Sequence, residues 1–285
     1  MVAGKLLEDD WSGKLWAVHQ GLKMAGTMAP NAPFVLLTDA DITHDGESLR
    51  RLVGKAEAGR LDLVSLMVRL RSESFWEKLL IPAFIFFFQK LYPFPWVNDP
   101  NKPTAAAAGG CMLVRRSALE RSGGVEAIRH HLIDDCALAA RLKQQGPIWL
   151  GLSSRVVSER RYGHLSEIWD MVARTAFEQL GNSALALIGT VAAMSITYLA
   201  PPLAVAGLLG GGPVAAVAAT AGVLTWWALM GIAFWPTLDL YGMARAWSLL
   251  LPVAALLYTL MTVSSAVRYW RGRGGAWKGR QYKTA

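Results

Sequence analysis

Two pairs of aspartates carry most of the chemistry this sequence could do. The first lies in "VLLTDADI", where Asp39 and Asp41 follow four apolar or small residues with only Ala40 between them. Two ionised carboxylates that close repel unless something positive offsets them. A polar turn after a strand is the plain reading. A divalent cation is the sharper one, since Mg²⁺ is commonly held by one or two carboxylates together with substrate phosphates. The second pair, Asp134 and Asp135 in "LIDDCALAARLKQQG", stands before a stretch of helical apolar spacing. Acids at a helix start cap it and suit its dipole. One of them can cap, and a second adjacent carboxylate suggests a general base. This stretch alone leaves both readings open.

The elements around these acids follow from periodicity. Leu15, Val18 and Leu22 mark a helical face, with a helix over Trp16–Met24 entered through Gly13-Lys14. "APFVLLTDADI" is a continuous apolar run ending on acids, the pattern of a strand buried on both faces. An amphipathic helix follows, with Leu49, Leu52, Val53 and Ala56 on one face and Gly59 as its stop, and "LDLVSLMVRL" is the next strand. Strands alternating with helices imply a parallel, doubly wound α/β sheet. Ligands bind such sheets outside the carboxyl ends of the strands, which is where Asp39 and Asp41 stand. Gly109-Gly110, ahead of the short strand Cys111–Val114, permit close backbone approach or unusual dihedrals, with an ordinary turn as the competing reading.

Composition adds a second domain. The chain has 285 residues, 53% of them hydrophobic and only 18% charged. No Asp, Glu, Lys or Arg occurs from Gln179 to Leu238 or from Ala246 to Val267. A membrane helix needs about 20 apolar residues, so the first run can hold two crossings and the second one. A polar domain over residues 1–180, membrane helices over 181–268 and a basic tail over 269–285 are expected. The net charge is +8, and Arg268, Arg271, Arg273, Lys278, Arg280 and Lys283 close the chain with no acid among them. Beside a membrane segment such a tail implies anionic headgroups rather than nucleic acid. Cys111 and Cys136 have no metal-ligand spacing and are read as packed free thiols. "LLIPAFIFFFQKLYPFPWV" (Leu79–Val97) is apolar but broken by prolines and Lys90. It is read as lying in the membrane interface, where it could admit a lipid, with a buried core helix as the alternative.

"GKLWAVHQGL", "TDADI", "GGCMLVRRSALERSGG" and "IDDCALAARLKQQG" together resemble the ordered blocks of family 2 glycosyltransferases with a GT-A fold, and "RGRGGAWKGRQY" resembles the tail of the membrane-bound members. The likeness is nearest to the hopanoid-associated glycosyltransferases. It implies a GT-A-like doubly wound mixed sheet followed by a transmembrane helical domain. It also implies a bacterial inner-membrane enzyme, multi-pass with its catalytic domain cytoplasmic. Such an enzyme moves a sugar from a nucleotide-diphosphate donor, a UDP-sugar, to a hopanoid or other isoprenoid lipid. Residue by residue, it assigns Asp41 to Mg²⁺ or Mn²⁺ bridging the donor diphosphate, and Asp39 to the ribose or the outer shell of the metal. Asp135, with Asp134 beside it, becomes the catalytic base, and Lys14 a basic group near the donor nucleotide. Arg160, Arg161 and Arg174 are the candidate diphosphate ligands. Thr175 stands where the family carries tryptophan in a Q-x-x-R-W block. Members begin with strands bearing an early nucleotide-binding block, whereas Met1 here falls almost at the G-K segment. A GT-A-like sheet incomplete at its amino terminus is therefore expected, and an inactive membrane scaffold is the alternative function.

Three crossings, about Ser183–Leu208, Pro213–Trp235 and Ala246–Val267, would put the basic tail opposite a cytoplasmic catalytic domain. The positive-inside rule prefers it on the same side. A re-entrant hairpin around Pro201-Pro202 and Gly210–Gly212 would reconcile the two, leaving Trp277, Lys278 and Arg280 near the headgroups or the catalytic domain.

Overall fold

A computed structural model describes residues 3–206 and 211–274, so Gly210 and the tail residues Trp277, Lys278, Arg280 and Lys283 lie outside the described residues. The chain divides into two compact units, one comprising residues up to Arg71 and Gln89–Arg160, the other Ser72–Phe88 and the residues from Arg161 on.

The first unit opens with α1 (Gly13–Met28), which starts where Ser12 Oγ accepts the Leu15 amide at 3.2 Å. Then come β1 (Phe34–Thr38), β2 (Ile42–Thr43), α2 (Ser48–Ala58) and β3 (Leu63–Arg69). The chain goes on through α3 (Phe75–Leu91, its residues to Phe88 in the second unit), α4 (Phe94–Asn98), β4 (Cys111–Arg115), α5 (Arg116–Arg121), a 3-10 turn (Val125–Ile128), α6 (Asp134–Lys143) and β5 (Ile148–Ser158).

The five strands form one mixed sheet in the order β1-β4-β3-β5-β2. This is the mixed sheet that the resemblance implies, and it corrects the parallel sheet implied by strand–helix alternation alone. β3 and β5 are parallel, but β4 runs antiparallel to both β1 and β3, and β2 antiparallel to β5. β1, β3 and β5 therefore keep one direction, and β4 is wedged between the first two with the opposite sense. The register Thr38↔Cys111 sets the start of β4 against the carboxyl end of β1, so Gly109-Gly110 arrive beside Asp39.

Burial follows the sheet order. Leu63, Val64, Met67 and Val68 of the interior strand β3 are buried. β1 pairs only with β4 and its apolar residues are half-buried, so the doubly covered strand is β3 and not β1. Leu52, Ala56, Leu61, Val64, Val68, Cys111, Leu113 and Val156 make one core cluster. Leu49, expected on the buried face of α2, is 55% exposed, because the inward row is Ser48, Leu52 and Ala56, four residues apart, and Leu49 falls to one side of it. Gly59 does not take a left-handed conformation; Arg60 does, at φ 49°.

The second unit is mostly helical. After α7 (Leu165–Ala173) come α8 (Ala184–Met194), a π-turn (Ser195–Leu199), α9 (Ala200–Ala206), α10 (Pro213–Val223), a π-helical stretch (Leu224–Gly231), α11 (Ile232–Leu240) and α12 (Leu251–Trp270). Among the described residues, three stretches are long and apolar enough to cross a membrane: Ala184–Ala206, Pro213–Leu240 and Arg245–Trp270. Within Leu79–Val97, α3 runs unbroken through Pro82, with Leu79–Ala83, Ile85 and Phe86 buried, as the buried-helix alternative expects. Phe86 meets Phe234 edge-on, and Phe87 meets both Tyr198 and Tyr258. Tyr258 Oη donates to the Leu80 carbonyl at 2.9 Å, so a polar group among apolar helices is satisfied.

The end of α12 lies beside the start of α8. Phe177, Leu187 and Ala266 share one cluster, Tyr269 packs against it, and Phe177 N–H donates to Ser265 Oγ at 3.0 Å. The Arg268 guanidinium donates to Asp170 at 2.7 Å.

Candidate active site

Four of the expected site residues converge in the first unit. Lys14 sits in the first turn of α1, Asp39 just past β1, and Asp134 and Asp135 open α6. The Lys14 Nζ lies 3.0 Å from Asp134 and 3.6 Å from Asp39, joining the acid pairs across 120 positions of sequence. Asp135 is held by two amides: Cys136 N–H donates to Oδ1 at 2.8 Å and Gly109 N–H to Oδ2 at 2.8 Å. The first is a contact with the next residue and no cap: Ile133 holds the N-cap position of α6, and no side chain caps the helix there. The second reaches across to the turn before β4, which a cap does not need.

Gly109 is small because both partners crowd it: a β-carbon there would stand 3.3 Å from Asp135 Oδ2 and 3.3 Å from Lys14 Nζ. Its φ is not positive. Of the two readings of Gly109-Gly110, close approach is the one realised. Left-handed backbone belongs to the later doublet, Gly123 and Gly124.

These groups stand at the polar end of a cavity of about 310 Å³. Its remaining wall is apolar, from Leu15, Val18 and Leu22 of α1, Val35 and Leu37 of β1, and Ile128. The volume is at the small end of ligand pockets.

Electrostatically, three carboxylates face one ammonium. Burial alone would lower the Lys14 pKa, but Asp134, Asp39 and Asp135 outweigh it and the net shift is upward. Lys14 is thus a fixed cation. Burial, then the Asp134 charge, push the Asp135 carboxyl up to about 6, against the pull of Lys14 and the two amides. A carboxyl poised near neutrality, amide-oriented and on a cavity wall, is suited to take a proton.

The other expected residues are arranged differently. Asp41 is half-buried, outside the lining of the cavity, and its carbonyl accepts the Glu159 amide at 2.8 Å. The register Ile42↔Ser158 brings the exposed Arg160 to the same sheet edge as Asp41. Arg161 and Arg174 belong to the second unit, Arg161 exposed and Arg174 half-buried at the end of α7. Among the described residues no three His, Cys, Asp or Glu side chains cluster as a metal site. A cation shared with a diphosphate needs only one or two carboxylates. Asp39, with 44% of its side chain exposed, is open to one, and the excess of negative charge favours it.

Three residues escaped sequence reasoning. Ser65, fully buried on β3, accepts the Ala108 amide at 2.9 Å and lies within bonding distance of the Ala108 and Cys111 carbonyls. Thr38 Oγ1 donates to the Gly110 carbonyl at 2.9 Å and lies 3.1 Å from His44 Nε2. A serine in an otherwise apolar strand was the one visible signal.

A mixed α/β sheet with an acid-lined cavity at the carboxyl end of a strand, followed by three long apolar helices, is the arrangement of a GT-A-like transferase domain joined to a helical domain. The chain belongs to glycosyl transferase family 21, whose sequence model it matches over residues 22–285. The activity class expected from the sequence, glycosyl transfer, therefore stands; the family matched is 21, where the sequence blocks resembled family 2. Asp39, Asp41, Asp134 and Asp135 lie inside the matched region and Lys14 outside it. No curated protein matches the chain.

Proposed function

We propose that this glycosyltransferase moves a sugar from a nucleotide-diphosphate donor to the hydroxyl of a membrane lipid, inverting the anomeric carbon. The observation that carries the proposal is the Asp135 carboxylate, aimed by the Gly109 amide onto a cavity shared with Lys14 and Asp39. Asp135 takes the acceptor hydroxyl proton, the acceptor oxygen attacks the anomeric carbon, and the bond to the diphosphate breaks with its electron pair leaving on the phosphate. Mg²⁺ or Mn²⁺ held by Asp39 and Asp41 would neutralise charge on the departing diphosphate. Lys14 adds a fixed positive charge near the donor, and Arg160, Arg161 and Arg174 are proposed as further diphosphate ligands. A UDP-sugar as donor and a hopanoid or other isoprenoid as acceptor rest on the resemblance of the sequence blocks. Proton NMR of the product tests the mechanism: its anomeric configuration is expected to be opposite to that of the donor, and retention would rule out single displacement assisted by Asp135.

Only ionised Asp135 can accept a proton. Its pKa of about 6 therefore sets an acid limb: transfer falls about tenfold per pH unit below that value and levels off above it. A profile of kcat/KM between pH 4.5 and 8, which reports groups of the free enzyme, reads this directly. A flat profile across pH 6 would remove Asp135 from the base role.

The apolar helices support an integral membrane protein of the bacterial inner membrane, its first unit in the cytoplasm where nucleotide sugars are. Three plain crossings would make α8 and α12 parallel, their facing ends about 30 Å apart. The contacts of Arg268 with Asp170 and of Ala266 with Leu187 support the opposite, an even number of crossings between Ser183 and Trp270. A reporter fused after Ala285 is expected on the cytoplasmic side. Alkaline phosphatase activity at that position would count against it.

A further inference from the structure

We propose that Ser65 is a positioning residue for the transfer, acting on Asp135 through the turn Ala108–Cys111; this rests on the reading of Asp135 as the base. The Gly109 N–H that holds Asp135 belongs to the same planar peptide as the Ala108 carbonyl, and in a trans peptide the two point in opposite directions. Whatever grips that carbonyl aims the amide. Ser65 Oγ lies 3.2 Å from the Ala108 carbonyl and 3.1 Å from that of Cys111, while accepting the Ala108 N–H at 2.9 Å.

Ser65 shares its face of β3 with Leu63 and Met67, both buried, and pairs in register with Met112. A hydroxyl there is costly unless bonded, and each of its bonds goes to this one turn. Thr38 holds the other side of the turn through the Gly110 carbonyl at 2.9 Å. The turn is thus held from the sheet below, where Ser65 and the Cys111 N–H (3.2 Å) meet the Ala108 carbonyl, and from β1 at the next peptide but one. The Gly109 N–H faces Asp135 Oδ2 at 2.8 Å. Ser65 itself does not line the cavity, so it acts only through that peptide.

Ser65→Ala should lower kcat by about tenfold, the worth of one oriented hydrogen bond, with donor KM changed by less than about twofold. Ser65→Thr, which keeps the hydroxyl, should restore most of the rate. An unchanged kcat in Ser65→Ala, or an equal loss in Ser65→Thr, overturns the proposal. If Ser65→Ala yields no folded protein, Thr38→Val releases the Gly110 carbonyl from an exposed position and should lower kcat likewise, with Thr38→Ser restoring it; full activity in Thr38→Val overturns the proposal. The base reading fails separately, through an active Asp135→Asn enzyme. An inactive Asp135→Asn beside a fully active Ser65→Ala sinks only the role of Ser65.

Discussion

Replacing Asp135 with asparagine lowers the transfer rate by about 10²–10⁴-fold, the usual contribution of a positioned base, and leaves donor binding intact. Asparagine keeps the size and one acceptor oxygen, so one of the two amides that hold the carboxylate, Gly109 or Cys136, retains its partner. What is lost is the ability to take a proton at a carboxyl poised near pH 6. Because the base acts on the acceptor, the loss falls on kcat and not on donor affinity. Titrating donor by calorimetry alongside rate measurements separates the two. Equal losses in affinity and rate would mark Asp135 as a structural residue and nothing more.

Lys14→Met is expected to be nearly as damaging, but through binding. Lys14 stands 3.0 Å from Asp134 and 3.6 Å from Asp39. Methionine keeps most of the stem and removes the ammonium that, among the described residues, faces the three carboxylates lining the cavity. An incoming diphosphate then meets uncompensated negative charge. Donor affinity should fall about 10- to 100-fold, the range for one lost charge-assisted contact. Raising Mn²⁺ should recover part of it, since a divalent cation supplies the missing charge. The same titration checks this, and wild-type donor affinity in Lys14→Met would make the lysine a surface residue.

How much of this was legible in the sequence depends on distance along the chain. "VLLTDADI" announced a strand ending on acids, and Leu15, Val18 and Leu22 announced a helix that does line the cavity. These are local patterns of period two or 3.6. The reversed strand β4 was not legible, because "CMLV" reads the same in either direction and only pairing fixes its sense. Without that register, nothing in the sequence brings Gly109 to Asp135 or Lys14 to Asp134. The apolar segment Leu79–Val97 was ambiguous for a related reason. Its hydrophobicity called for burial, but whether lipid or aromatic partners provide it depends on Phe234 and Tyr258, far along the chain. Leu49 shares an apolar stripe with Leu52 and Val53 in the sequence, but the row that meets the sheet starts at Ser48, a polar residue that hydrophobicity does not mark.

Asp135 is proposed to drive sugar transfer to a lipid. The most direct test of this is to incubate the purified chain with radiolabelled UDP-sugars and membrane lipid extract, then count the label that enters the organic phase. The expected result is metal-dependent label with the wild type and background counts with Asp135→Asn at equal donor binding. Equal label from the two proteins, or label that remains entirely in water with the wild type across the nucleotide sugars, would contradict the claim.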